Sequence, residues 1–248
     1  MFFKKNLKDD VLDARKIISA DTPFAIKEAF SSLATNILYL PIEDNCKKLA
    51  VTSSLSGEGK TYISINLAVT LANNLDSKRV LLIDMDMRNP SVTRLLKNAK
   101  MVDGAKGGLS EFLAGISAEP EILSTNLPNL DVIFAGAATT NPAGLINSSR
   151  MNDLFKICEE KYDYVIIDTP PVNIVTDATL LVNRVNGYLI ATRSDYSNVN
   201  ALSNVLDTLE RVGAEIYGVV LSDVNPKKSS GYGKYHKYGG YSKYYTGK

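Results

Sequence analysis

The stretch KLAVTSSLSGEGKTYISINLA, residues 48–68, decides the fold. Its first residues, Lys48–Ser53, form a short apolar run suited to a buried strand. From Lys60 to Asn74, apolar and small residues recur at helical spacing (Ile63, Leu67, Thr70, Leu71), which predicts a helix. Between the two lies SLSGEGKT, Ser54–Thr61, a phosphate-binding loop with Ser54 where the motif usually opens on glycine. Gly57 and Gly59 let backbone N–H groups turn inward around a β-phosphate, Lys60 reaches the β/γ oxygens, and the Thr61 hydroxyl can ligate Mg²⁺. Strand in and helix out is the context this loop needs, because the helix N-terminus adds its dipole to the anion site. The expected nucleotide contacts are Ser56, Gly57, Glu58, Gly59, Lys60, Thr61 and Tyr62, and the expected ligand is a nucleoside triphosphate with Mg²⁺.

Outward from the loop, strands and helices alternate. Arg79–Asp84, Leu130–Phe134, Asp163–Asp168, Gly187–Thr192 and Ile216–Leu221 read as strands, and Met151–Lys161 and Asn200–Val212 as helices. Strands apolar on both faces and separated by helices predict an α/β fold of the P-loop NTPase-like, three-layer α/β/α kind with a mostly parallel central sheet. A further helix is expected from Phe24 to Leu40, ahead of the core. Ala99–Gly108, rich in Gly and Lys, reads as a surface loop. Two strand ends carry acids: Asp84 and Asp86 follow Val80–Ile83, and Asp168 follows Val165–Ile167. A carboxylate at the C-terminal end of a strand beside the loop is where a magnesium shell needs an acceptor. Together these acids predict a site of phosphate transfer or hydrolysis.

The whole chain has 248 residues and a formal net charge of +1, so global electrostatics point to neither nucleic acid nor lipid. No run approaches the roughly 20 apolar residues that span a bilayer, and no secretory h-region is present. Cys46 and Cys158 lack metal-ligand spacing and are expected to be reduced thiols of a cytosolic protein. Residues 1–22 are polar without a clear period. Three units are expected: an N-terminal segment and helix over 1–40, a P-loop domain over 41–226, and a tail over 227–248.

That tail contains six lysines, one histidine and no acid, and a tyrosine at every third position from Tyr232 through Tyr235, Tyr238 and Tyr241 to Tyr244, with Tyr245 adjacent. With no aliphatic residue it cannot bury a core and is predicted to be disordered. Each phosphate added there would bring ~1.5–2 negative charges, and several would reverse the segment's sign.

These features resemble the bacterial tyrosine kinase family, in its cytoplasmic subunit form associated with capsular and exopolysaccharide synthesis. The resemblance runs from about Pro23 to the C-terminus. It rests on Ser54–Thr61 as Walker A, LLIDMDMR (Leu81–Arg88) as Walker A′, VIIDTPP (Val165–Pro171) as Walker B, NPAGL (Asn141–Leu145) and the tyrosine-rich tail. It implies an ATP-dependent protein tyrosine kinase with Lys60, Asp84, Asp86 and Asp168 as catalytic residues. Thr61 and Asp168 would hold Mg²⁺, and Tyr232, Tyr235, Tyr238, Tyr241, Tyr244 and Tyr245 would be autophosphorylated. Asp84 or Asp86 would orient or deprotonate the incoming hydroxyl. Arg88 has two readings: a salt bridge holding the A′ segment, or a contact to phosphate or acceptor. The resemblance further implies a cytoplasmic protein recruited to the inner face of the membrane by a membrane-anchored activator, protein tyrosine substrates, and a homo-oligomer.

Two departures stand out. The family's E-x-x-R-x-x-R helix reads here as Glu28 to Ala34 with Ser31 and Ala34 in the arginine positions, and Ser222 stands where an asparagine often meets the adenine, with Asn225 a possible substitute. An ATPase switch of the partition class is the alternative, although its extra lysine is absent from Leu55 and Ser56.

Overall fold

The computed structural model describes residues 16–224. The tail tyrosines from Tyr232 onward and Asn225 lie outside the described residues, as do residues 1–15.

Seven strands form one sheet: β1 Lys47–Ser53, β2 Val80–Asp84, β3 Leu123–Ser124, β4 Leu130–Ile133, β5 Tyr164–Asp168, β6 Gly187–Arg193 and β7 Ile216–Ser222, in the order β3-β4-β2-β5-β1-β6-β7. All neighbours are parallel except the short edge strand β3, which runs antiparallel to β4. The helices are α1 Phe24–Leu38, α2 Lys60–Asn74, α3 Val92–Asn98, α4 Leu109–Leu113, α5 Pro142–Ile146, α6 Ser149–Lys161 and α7 Val199–Arg211, with a 3-10 turn at Asp177–Leu181.

Period two along the strands explains why they read as apolar throughout. Leu49, Val51, Val80, Leu82, Leu130, Val132, Ile166 and Leu189 face one core with α1, α2 and α3. Their neighbours Ala50, Leu81, Ile83, Ile133, Val165, Ile167, Tyr188 and Ile190 face a second core with α4 to α7. Both faces are covered, as a parallel sheet requires. Cys46 and Cys158 are free and buried in the second core, and burial pushes their thiols up to about 11 and about 12.

Ahead of α1, Ile17 is buried, and the Asn66 side chain of α2 accepts from Ile18 N–H (2.7 Å) and donates to Lys16 C=O (3.1 Å). Two expectations need correction. The stretch 99–108 is irregular, but Met101 and Val102 are buried in the first core, so it is anchored rather than a purely surface loop. The helix expected from Phe24 to Leu40 ends at Leu38, where the Lys47 ammonium of β1 binds the Leu38 and Leu40 carbonyls (2.8 and 3.2 Å). Ala34 and Ile37 face α2, whereas Phe24 and Ile26 remain 45% exposed. Among the described residues no helix is long and apolar enough to cross a membrane.

Two contacts carry the second face toward the sheet's C-terminal edge. The buried Tyr188 hydroxyl donates to Ala178 C=O in the 3-10 turn (2.8 Å). Asp177 of that turn, itself buried, receives the Arg88 guanidinium on both carboxylate oxygens (2.8 and 3.1 Å). This fork fixes the segment after β2 onto the segment after β5.

Tyr188→Phe should destabilise the chain by about 1–2 kcal/mol, since the Ala178 carbonyl loses its side-chain donor in a dry setting. Arg88→Ala should cost about 3 kcal/mol by stranding the buried Asp177 carboxylate, and adding Asp177→Asn should restore part of that loss. Equilibrium denaturation in urea measures both.

Candidate functional site

The loop Ser54–Thr61 sits at the C-terminal edge of β1, the third of three adjacent strands, β2-β5-β1, whose ends converge. Gly57 and Gly59 have φ of +85° and +93°, in the left-handed region where a side chain is strained. A Cβ at Gly59 would also come within 3.0 Å of Ser222 Oγ. Ser54, in place of the opening glycine, is accommodated with its hydroxyl buried and without a hydrogen-bond partner.

The loop is braced from outside. Glu58 is fully buried; its carboxylate accepts from Leu55 N–H (2.7 Å) and from the Ser197 hydroxyl. Its carbonyl accepts from Ser222 Oγ (3.0 Å), and Tyr196 Oη donates to Ser56 C=O (3.0 Å). The Glu58 side chain is thus turned away from the loop's concave face, and its contribution to a phosphate site is its backbone. Ser222, where the family often has asparagine, is part of this brace.

In register, Asp84 pairs with Asp168 on the neighbouring strand, so two acids stand side by side at the edge. Asp168 accepts from Thr61 Oγ1 (2.7 Å) and Ser64 Oγ (3.2 Å). Lys60 Nζ lies 2.9 Å from Asp86 and 3.9 Å from Asp168. Asp84 is fully buried, and both its oxygens accept backbone N–H groups, from Asp86 and Val92 (3.1 Å each). Asp86 accepts from Asn89 N–H (3.0 Å) and lines the open cavity, which Asp84 does not. The geometry therefore separates the two A′ acids: Asp84 shapes the turn, and Asp86 faces the open cavity.

Burial pushes the Asp84 carboxyl well above the usual range, and the neighbouring Asp168 and Asp86 raise it further. Asp168 is raised chiefly by burial, against the lowering influence of Lys60 and the Thr61 hydroxyl. Burial alone would lower Lys60, but Asp168 and Asp86 outweigh it and hold the ammonium above its ordinary value. Three carboxylates face one ammonium, which leaves the edge short of positive charge.

A cavity of about 230 Å³ opens between the loop, the segment after β2 and the segment after β5. Ser56, Gly57, Gly59, Lys60, Thr61 and Tyr62 line it, so six of the seven expected nucleotide-contact residues meet there. The donor set suits a small hard cation: one hydroxyl (Thr61) and one carboxylate (Asp168), all oxygen. No cluster of three or more His, Cys, Asp or Glu side chains with metal-holding geometry occurs among the described residues. Of the two Arg88 readings, the salt bridge is present as the ion pair to Asp177, and Arg88 also lines the cavity.

Ser64, Asp177, Tyr196 and Ser197 escaped sequence reasoning. Ser64 carried a signal, lying one helical turn after Lys60 and so on the loop's side of α2. The other three act through contacts across 89 to 140 residues of chain, which no local pattern reveals.

Comparison with known proteins identifies the family. The AAA domain family model matches residues 46–220. The tyrosine-protein kinase CpsD of Streptococcus agalactiae is 32% identical over 214 residues, spanning 86% of this chain and 90% of that protein. The tyrosine-protein kinase YwqD of Bacillus subtilis is 31% identical over 222 residues, spanning 89% and 91%. Among solved structures, the kinase domain of the Escherichia coli tyrosine kinase ETK superposes with a TM-score of 0.73 at 28% identity, covering 90% of each chain. A nucleotide-binding P-loop fold, the paired acids beside it and these relatives converge on one assignment: the chain belongs to the bacterial tyrosine kinase family.

Proposed function

We propose that the chain is an ATP-dependent protein tyrosine kinase that phosphorylates its own C-terminal tyrosines, Tyr232, Tyr235, Tyr238, Tyr241, Tyr244 and Tyr245, and regulates capsule or exopolysaccharide production. The observation that supports it best is the pairing of Lys60 with Asp86 at 2.9 Å at the mouth of the loop, beside a Thr61–Asp168 contact of 2.7 Å. One edge of the sheet then offers a phosphate clamp, a cation site and a carboxylate for an acceptor.

The loop amides around Gly57 and Gly59 and the Lys60 ammonium hold the β- and γ-phosphate oxygens. Thr61 and Asp168 would hold Mg²⁺, which when bound would neutralise charge on the phosphate oxygens. A triphosphate that draws Lys60 frees Asp86 from its ion pair, and Asp86 then accepts the phenolic proton or orients the hydroxyl. The phenolic oxygen bonds to the γ-phosphorus, the bridge from γ-phosphorus to the ADP oxygen breaks, and ADP leaves. With a tyrosine pKa of about 10, the carboxylate helps mainly late in a loose transition state. The chain's share of catalysis is positioning and electrostatics, with no covalent enzyme intermediate. Asp84, both oxygens engaged by backbone, supports the A′ turn in this scheme and does not touch the acceptor.

The family reading also supports a membrane-anchored activator that recruits the chain to the inner face of the membrane, and a homo-oligomer in which tails are exchanged. With Ser31 and Ala34 in place of arginines, and Ala34 buried against α2, any such assembly uses contacts other than the family's arginine pair.

Incubation with Mg-ATP followed by intact mass measurement should show stepwise additions of one phosphate each. Those steps should disappear in Lys60→Met and in the chain with all six tail tyrosines changed to Phe. Release of inorganic phosphate without mass change would support an ATPase switch instead.

A further inference from the structure

The cavity beside Lys60 has two unlike walls. On one side, the segment after β2 presents Asp86, Arg88 and Asn89; on the other, the segment after β5 presents the side chains of Pro171, Ile174 and Val175, which offer only carbon. Ile174 is 56% exposed, a large aliphatic group left in water next to a phosphate site. Its position is held by backbone: Ile174 and Val175 N–H both donate to Pro171 C=O (3.1 and 3.2 Å). Asn173 Nδ2 also ties the segment to Ala201 C=O of α7 (2.8 Å). An apolar wall adds nothing to the binding of phosphate or Mg²⁺. It suits a flat hydrocarbon group brought alongside them.

Resting on the kinase reading above, we propose that Pro171, Ile174 and Val175 form the platform for the ring of the acceptor tyrosine, and that this platform sets the choice of tyrosine over serine. A ring lying on Ile174 projects its hydroxyl across the cavity toward Asp86 and the end of the phosphate chain. A serine hydroxyl, carried directly on Cβ, gains nothing from the wall and has no ring to span the gap. The segment that supplies the ring is residues 231–248 of another copy: it contains no aliphatic side chain, so its tyrosines are the groups that can cover such a surface.

The test uses the whole chain with Mg²⁺, a non-hydrolysable ATP analogue and a peptide of residues 231–248 in which every tyrosine is phenylalanine. Ile174→Ser should weaken binding of this peptide about tenfold and leave nucleotide affinity within about twofold, while Ile174→Leu should bind it like the wild type. A version with serine in place of every tyrosine should bind weakly to both chains. With ATP and the tyrosine peptide, Ile174→Ser should raise KM about tenfold and leave kcat within about threefold, the pattern of lost uniform binding. Equal binding of the phenylalanine peptide by Ile174→Ser and wild type overturns the platform. Ile174-dependent binding without any phosphoryl transfer upholds the platform and overturns the kinase reading instead.

Discussion

Three carboxylates crowd one sheet edge and a single ammonium faces them. Asp84, Asp86 and Asp168 converge because β2 and β5 are neighbours in register and because the A′ turn folds Asp86 back toward the loop. At a protein-like effective dielectric, two unit charges 4 Å apart interact by about 4 kcal/mol, so one lysine cannot offset three ionised acids. Burial first, and the neighbouring acids second, raise the Asp84 and Asp168 carboxyls, while Asp168 and Asp86 hold Lys60 in its charged form against burial. A divalent cation with a polyphosphate fits this imbalance. The cation answers the surplus carboxylate, and the phosphates give Lys60 a partner other than Asp86.

The rest of the edge divides into a fixed side and an open side. Glu58, Ser197, Ser222 and Tyr196 hold the loop from behind, and Arg88 with Asp177 joins the two segments that flank the cavity. Preorganisation of this kind lowers the ordering cost when phosphate binds, because the strained glycines are already in place. On the open side Asp86 and the carbon side chains of Pro171, Ile174 and Val175 line the same cavity.

Much of this was legible in the sequence. The loop, α2, α6 and α7 and the strands β1, β2 and β4 to β7 announced themselves because long periodic runs and fixed motif spacing survive without tertiary context. The short helices α3, α4 and α5, five to seven residues each, and the two-residue strand β3 are too brief to show a period. Asp86 could be separated from Asp84 only by the turn that gives Asp84 two backbone donors. Arg88 likewise needed its partner at Asp177, 89 residues away, before one of its two readings was favoured. The anchoring of Ile17 and of Met101 was hidden by the polar residues around them.

An edge that directs the γ-phosphate to a tyrosine hydroxyl and not to water has a simple signature, read by following ADP and phosphotyrosine together in one reaction of the whole chain with Mg-ATP. The two should rise in equal amounts until the tail is filled, with free phosphate far behind. ADP matched by inorganic phosphate, with no phosphotyrosine formed, would contradict it.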